Sequence, residues 1–252
     1  MTFTAWTGRL AFGPWWLLYC GPIGPTAMHA HHAFQIVVHG GTPCLRDEGG
    51  EAIHGPVAVL DPDRSHAVHS RRDHALVVFV EPDSRAGRAL RHRSLIAPPG
   101  AAHPVAEVIG ELLPDNWSRA EEAVRRTLAL TGLPEAATPM RWWRHPAIDE
   151  ALLRLPDLVD EAPLDVDELA EAIGMSTSRL THVFSDEVGI PLRSYAKWLR
   201  LVRATEHLSE GASITDAAHA AGFADAAHMS RSFKAMFGLA LSDVMHGSTW
   251  IR

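Results

Sequence analysis

The hydrophobic rhythm of the chain changes once, near residue 82. Before that point the apolar runs are short and end in turn residues. Ala33-Phe-Gln-Ile-Val-Val-His39 stops at Gly40-Gly41, Val57-Ala-Val-Leu60 at Asp61-Pro62-Asp63, and Ala75-Leu-Val-Val-Phe-Val80 at Glu81-Pro82. Valine-rich runs so bounded predict strands, and several at this spacing predict a small barrel or sandwich. After residue 82, apolar positions recur every three or four residues. Helices are predicted over 105–113 and 117–130. The second puts Ala120, Val124, Thr127, Leu128 and Thr131 on one face and Glu121, Glu122, Arg125 and Arg126 on the other. The apolar face suits either a coiled pair in a dimer or packing on the barrel. Gly132-Leu-Pro134 ends the helix. Residues 134–146 hold three prolines and read as a linker. Beyond His145 the pattern predicts short helices at about 145–155, 165–173, 176–188, 191–209, 213–221 and 224–237, with a last turn near 242–246.

The helical half repeats itself. Leu169-Ala-Glu-Ala-Ile-Gly174 is echoed 48 residues later by Ala217-Ala-His-Ala-Ala-Gly222. Each glycine precedes a hydrophobe (Met175, Phe223), a polar helix start and a helix with an aromatic near its middle (Phe184, Phe233). This is helix, glycine turn, helix, twice. Glycine tolerates positive φ at the turn, and Ser176 and Asp225 are suitable N-caps for the second helices. A helix starting at Pro191 joins the two units. Roughly 19 residues at 1.5 Å rise span about 28 Å, close to the ~34 Å between successive turns of one DNA groove. Two reading helices can therefore meet one face of DNA.

The formal net charge is −7, so any nucleic-acid contact must rest on local charge. Between Ser176 and Arg203 five basic residues face two acidic ones, and between Ala226 and Arg252 three face one. Nine carboxylates between Asp149 and Glu171 face only Arg154, so that layer must point away from phosphate.

Residues 145–247 resemble the DNA-binding domain of the AraC/XylS transcription regulators. Ile214-Thr-Asp-Ala-Ala-His-Ala-Ala-Gly-Phe-Ala-Asp-Ala-Ala-His-Met-Ser-Arg-Ser-Phe-Lys-Ala-Met-Phe-Gly238 follows the family signature nearly end to end, and Leu169–Leu201 matches the first unit and linker helix. Leu241 stands where members usually have proline. The resemblance puts Ser178, Thr181 and His182 in the groove, with Thr177 and Arg179 near the backbone. In the second unit it puts Ala227, His228 and Arg231 in the groove, with Ser230 and Lys234 beside them. Arg231 can donate a bidentate fork to guanine, and threonine methyls can meet thymine. Double-stranded promoter or operator DNA and RNA polymerase are the implied partners, with a homodimer an open arrangement.

Histidine is over-represented: there are 16, and eight lie between His29 and His74. His29-Ala-His31-His-Ala-Phe-Gln35 reads His-x-His-x3-Gln, and in a strand His29, His31 and Gln35 would share a face. Asp61-Pro-Asp-Arg-Ser-His66 follows about 30 residues later. Residues 10–82 resemble the cupin barrel and the arabinose-regulator-type sensor barrel. In cupins these two half-motifs bind a divalent metal, with glutamate where this chain has Gln35. Three imidazoles and an amide can hold Zn²⁺, Ni²⁺, Cu²⁺ or Fe²⁺. The same residues can equally line a metal-free effector pocket or hydrogen-bond within the barrel. His32 should face the other way, and His69 has the wrong parity to join His66.

The expected fold is α+β: a cupin-like β-barrel with appended helices, then an all-α domain with two helix-turn-helix units. The sensor and dimerisation domain is expected over 1–133 (barrel about 10–82, helices about 83–133), the linker over 134–146, and the DNA-binding domain over 147–252. The apolar stretch Leu10–Cys20 is broken by Gly13-Pro14 and is shorter than the ~20 residues a membrane span needs. It reads as buried strand, with no membrane partner and a cytoplasmic location. Two cysteines cannot build a disulfide framework. The expected function is a DNA-binding regulator that responds to a small molecule or metal in the barrel, not an enzyme. The alternative is a metal-dependent cupin enzyme with a helical appendage. It would use His29, His31, Gln35 and His66 but leaves the tandem repeat unexplained.

Overall fold

The computed structural model describes residues 6–39, 45–53, 56–69, 74–91, 117–132, 144–161 and 164–251. The helix expected over 105–113 and most of the expected linker lie outside these residues. Contacts group the chain into two units, Met1–Thr138 with Phe233–Arg252, and Pro139–Ser232. The sequence reading assigns 147–252 wholly to the helical half. The structure instead groups the last segment with the barrel, because that segment hydrogen-bonds to barrel residues.

In the first unit, β1 (Arg9–Gly13), β2 (Trp16–Pro22), β3 (Phe34–His39), β6 (Val57–Leu60), β8 (His74–Val80) and β9 (Thr249–Trp250) form a six-stranded sheet in the order β6-β3-β8-β2-β1-β9. The short strands β4 (Leu45–Asp47), β5 (Ala52–Ile53) and β7 (His66–Val68) form a second sheet, β5-β4-β7. Every pairing is antiparallel except β1 with β9, which is parallel. All of β3 is buried, as is β8 after His74. Its two faces have different partners, as alternation requires. The even-numbered residues Trp16, Leu18, Cys20, Phe34, Ile36, Val38, Leu76, Val78 and Val80 form one core with Leu90 of α1 (Arg85–Arg91) and with Ala120, Ala123 and Val124 of α2 (Trp117–Leu130). The apolar face of α2 is therefore occupied by the barrel, which is the packing reading and not the coiled pair. Trp16 belongs to this core and Trp15 packs on it. The opposite face carries Gln35, paired in register with Phe79 and Leu60.

In the second unit, α3 (Pro146–Glu161), α4 (Val166–Ala172), α5 (Thr177–Val188), α6 (Leu192–Ser209) and α7 (Ile214–Ala220) follow one another. Helix α8 (Ala226–Phe237) begins in this unit and ends in the first, where α9 (Leu241–Gly247) also lies. Their core gathers Ile148, Leu155, Leu169, Leu180, Phe184, Val188 and Tyr195, with Phe184 edge-on to Tyr195 at 5.5 Å. Helix α3 outruns its expected end at 155. It continues through Pro156, because Val159 extends the buried stripe of Ile148, Ala151 and Leu155.

Candidate functional site

The helical unit builds two near-identical turns. Gly174 has φ +69° and Gly222 +71°. After each, the next amide reaches back five residues: Met175 N donates to Ala170 O and Phe223 N to Ala218 O, both at 2.9 Å. These are the bonds of a left-handed helix stop, which closes the carbonyls of the first helix. The second helices then start on polar caps. Ser176 Oγ accepts from Arg179 N at 3.3 Å, and Asp225 Oδ1 accepts from His228 N at 2.6 Å. That amide holds the Asp225 carboxyl below its ordinary value, helped by Arg231.

On α5, Ser178, Arg179 and His182 are exposed and Thr177 and Thr181 half-buried. Thr177 Oγ1 donates to Asp167 Oδ1 of α4. Thr181 Oγ1 donates to the Thr177 and Ser178 carbonyls at 3.0 Å, which leaves its methyl as the free end. His182 lies 3.3 Å from Asp186, one turn on. On α8, Ala227, His228, Arg231 and Lys234 are exposed; Ser230 is half-buried and donates to Ala226 O at 2.7 Å. His228 also stands edge-on to Phe223 at 5.3 Å. Phe184 and Phe223 are buried, as core residues should be. Helix α6 has 18 residues, about 27 Å at 1.5 Å per residue.

The barrel carries the second site. His29, His31 and His66 are buried, and one ring nitrogen from each lies within 4.8 Å of the others. The expected route to this cluster needs correction. Only Gln35 sits in β3; His29 and His31 precede the strand. His29 instead bridges His66, with reciprocal amide bonds of 3.0 and 2.9 Å. The ring centroids of His29 and His66 are 4.3 Å apart, and those of His31 and His66 are 5.0 Å apart. His32 points elsewhere, onto Asp63. His69 is exposed.

One detail sets the chemistry. Each of the three rings has Nδ1 against a backbone carbonyl two residues away: His29 on Ala27 O (2.9 Å), His31 on Ala33 O (3.0 Å) and His66 on Arg64 O (2.9 Å). A carbonyl can only accept, so each Nδ1 carries the proton, which leaves a lone pair on the Nε2 of His29 and of His66. His66 Nε2 is buried with no partner among the described residues. His31 Nε2 lies 2.9 Å from Gln35 Oε1, and it too presents a lone pair once that amide turns over to put its NH₂ toward the ring. Burial, reinforced by the neighbouring His66, lowers His29 to about 4 and His31 to about 3, and burial lowers His66 as well. At neutral pH the cluster is a set of uncharged, inward-aimed donors.

The sequence reading missed two residues at this site. Phe79 is edge-on to His31 at 5.0 Å, and its register opposite Gln35 was the signal that could have found it. Gly238 packs against His29, and no local pattern announces that contact.

A glycine turn between two short helices, the second exposed and polar, is a helix-turn-helix, and the helical unit holds it twice. Comparison with known families matches residues 169–246 to a family described as helix-turn-helix domain. The HTH-type transcriptional regulator GbdR of Pseudomonas aeruginosa is 35% identical over 89 residues, 34% of this chain and 24% of the relative. The chain thus spans about a quarter of the length of the curated relatives it matches. Among solved structures, an apo variant of ToxT from Vibrio cholerae strain SCE256 superposes with a TM-score of 0.60 at 12% identity, covering 93% of this chain and 98% of that one. Unsaturated fatty acid-bound ToxT gives a TM-score of 0.55 at 13% identity, covering 92% and 95%. These identities show a shared fold, a barrel followed by a helix-turn-helix domain. Over residues 169–246 the chain is similar to helix-turn-helix domains, among them that of a transcriptional regulator. The relatives are transcriptional regulators, in line with the non-enzyme reading. No helix among the described residues is long and apolar enough to cross a membrane.

Proposed function

We propose that the whole chain is a sequence-specific transcriptional regulator whose barrel holds one divalent transition metal. The ligands would be His29, His31 and His66, with Gln35 beside them. The observation that carries this reading is the common orientation of the three imidazoles. Each donates Nδ1–H to a carbonyl and turns Nε2 inward, the arrangement in which a histidine ligand is fixed and made more basic. Unpaired, His66 Nε2 is costly to bury. An ion would satisfy it and would supply positive charge to a pocket of neutral donors. The all-nitrogen set with an amide suits Zn²⁺, Ni²⁺, Cu²⁺ or Fe²⁺ rather than Mg²⁺ or Ca²⁺.

The reading helices α5 and α8 would enter successive major grooves. Ser178, Thr181 and His182, and Ala227, His228 and Arg231, would meet the bases. Thr177, Arg179, Ser230 and Lys234 would sit near phosphate. RNA polymerase is the expected partner at a promoter, and homodimerisation would proceed through some surface other than the covered face of α2.

The test is metal content per chain in protein purified without a histidine tag, alongside His29→Ala/His31→Ala/His66→Ala. About one ion per wild-type chain and none in the folded variant supports the metal. No ion after controlled loading, with a folded protein, sinks it. The pocket would then pass to an organic effector, and fatty acids, which the ToxT fold binds in one structure, would be the first class tried.

A further inference from the structure

The histidine pocket has a neighbour that a small-molecule or metal sensor does not require. The segment that ends the second reading helix is seated directly on it. Gly238 O accepts from Ala27 N at 2.9 Å. Gly238 itself, at φ +70°, comes so close that a Cβ there would lie 2.5 Å from Ala27 O and 2.6 Å from His29 Nδ1. Ala27 O is the same carbonyl that accepts the His29 Nδ1 proton. The Nδ1 edge of the His29 ring is thus packed against a glycine backbone.

A second contact reaches the same segment from the other side. His31 is edge-on to Phe79 at 5.0 Å, Phe79 is edge-on to Phe237 at 5.3 Å, and Phe237 packs on Phe233 at 4.6 Å. Phe79 and Phe237 are both buried. All these residues lie in the first unit. Two of the three inward-facing histidines therefore touch residues 233–238, one directly and one through a single ring. Beyond Gly238 the chain stays on the barrel. Thr249 N donates to Gly8 O at 3.0 Å and Ile251 N to Leu10 O at 2.7 Å.

We infer that occupancy of the histidine pocket sets how firmly the end of the second reading helix, Phe233–Gly238, is seated on the barrel. This rests on the metal reading above and adds its regulatory output. Drawing His29 Nε2 and His31 Nε2 toward one ion fixes both rings, and with them the two surfaces that hold this segment. Coupling of this kind is reciprocal: a change at Gly238 must alter affinity at the pocket.

Hydrogen exchange of the full chain with and without Zn²⁺ tests this. Zinc is expected to slow exchange at least tenfold at the Ala27 amide and across 236–251, and to leave 180–205 unchanged. In the same titrations Gly238→Ala should weaken zinc binding at least tenfold. Gly211→Ala, at another positive φ (+98°) but with open space around it, should not. Phe237→Leu keeps the apolar fill and loses the ring contact; it should weaken zinc threefold or more, and serves if Gly238→Ala fails to fold. Zinc bound at one per chain with unaltered exchange over 236–251 and unaltered affinity in both variants overturns the coupling but leaves the metal site standing. Folded protein that binds none of Zn²⁺, Ni²⁺, Cu²⁺ or Fe²⁺ overturns both.

Discussion

The two turn glycines allow backbone strain to be separated from steric fit within one fold. Both take the left-handed region, at +69° and +71°, so each should resist alanine by the cost of that conformation, roughly 1–2 kcal/mol. Their surroundings differ. A Cβ on Gly174 would meet nothing within 4 Å. One on Gly222 would lie 2.2 Å from Val159 O. That carbonyl also accepts from Arg200 Nε at 3.2 Å, tying α6 to the end of α3. To restore contact distance α3 must retreat by about an ångström, and overpacking of this kind costs about 1–3 kcal/mol. Loss of a hydrogen bond from a charged donor adds about 1.5–3 kcal/mol. Gly174→Ala should therefore cost about 1–2 kcal/mol, and Gly222→Ala about 3.5–8 kcal/mol. Asparagine sharpens the comparison, since it tolerates the left-handed region but still carries a Cβ. Gly174→Asn should recover most of the loss and Gly222→Asn little of it. Urea unfolding followed by circular dichroism at 222 nm reads mainly the helices and suits the measurement. Equal losses for the two alanine variants, or full recovery by Gly222→Asn, would refute the steric account.

Acid should weaken the metal-free barrel. The unfolded chain binds protons near the ordinary histidine value of 6.5, whereas folded His29 and His31 do so only near 4 and 3. Stability is thus complete above 6.5 and falls as pH drops toward those values, on the order of 3 kcal/mol through His29 alone. Melting temperature measured from pH 7 to pH 5 should fall, and less so in the triple alanine variant; a flat profile would show the rings protonate while folded. Arg231→Ala should cost about 1–3 kcal/mol in binding a selected site and relax preference at one base position. Lys234→Ala should instead reduce affinity evenly across sequences and lower the salt slope, so a shared phenotype would show that Arg231 touches only phosphate. Asp225→Ala should fray the start of α8, seen as faster exchange at the His228 amide, because its carboxylate accepts from that amide.

The helical half was largely legible because its signals are local. Two glycines 48 residues apart, polar caps and an apolar stripe give the helices to within a few residues, and the capping bonds repeat as the sequence repeats. The expected end of α3 at 155 fell short because the local cost of Pro156 is outweighed by Val159, whose burial is a tertiary fact. The barrel was legible where strands are long: parity in β3 and β8 assigns Phe34, Ile36 and Val38 to the helix-covered core. It failed for His29 and His31, since parity holds only inside a strand and both precede β3. Their convergence with His66 comes from a bridge between distant segments. The Gly238 contact spans more than 200 residues, and no periodic pattern encodes it.

The parallel pairing of β9 with β1 also bears on how the molecule is made. Ser248 Oγ reaches Trp6 O across 242 residues, and Trp250 packs edge-on to Phe12 at 6.3 Å. Until that segment arrives, β1 presents an unpaired edge, the kind of surface that recruits strands from other molecules. Maturation of the barrel therefore waits for synthesis of the whole helical half, and long-range closure of this sort is slow. A truncation ending before Thr249 leaves a sticky rim rather than a clean sensor domain, so aggregation in such fragments would report a missing strand, not a weak core.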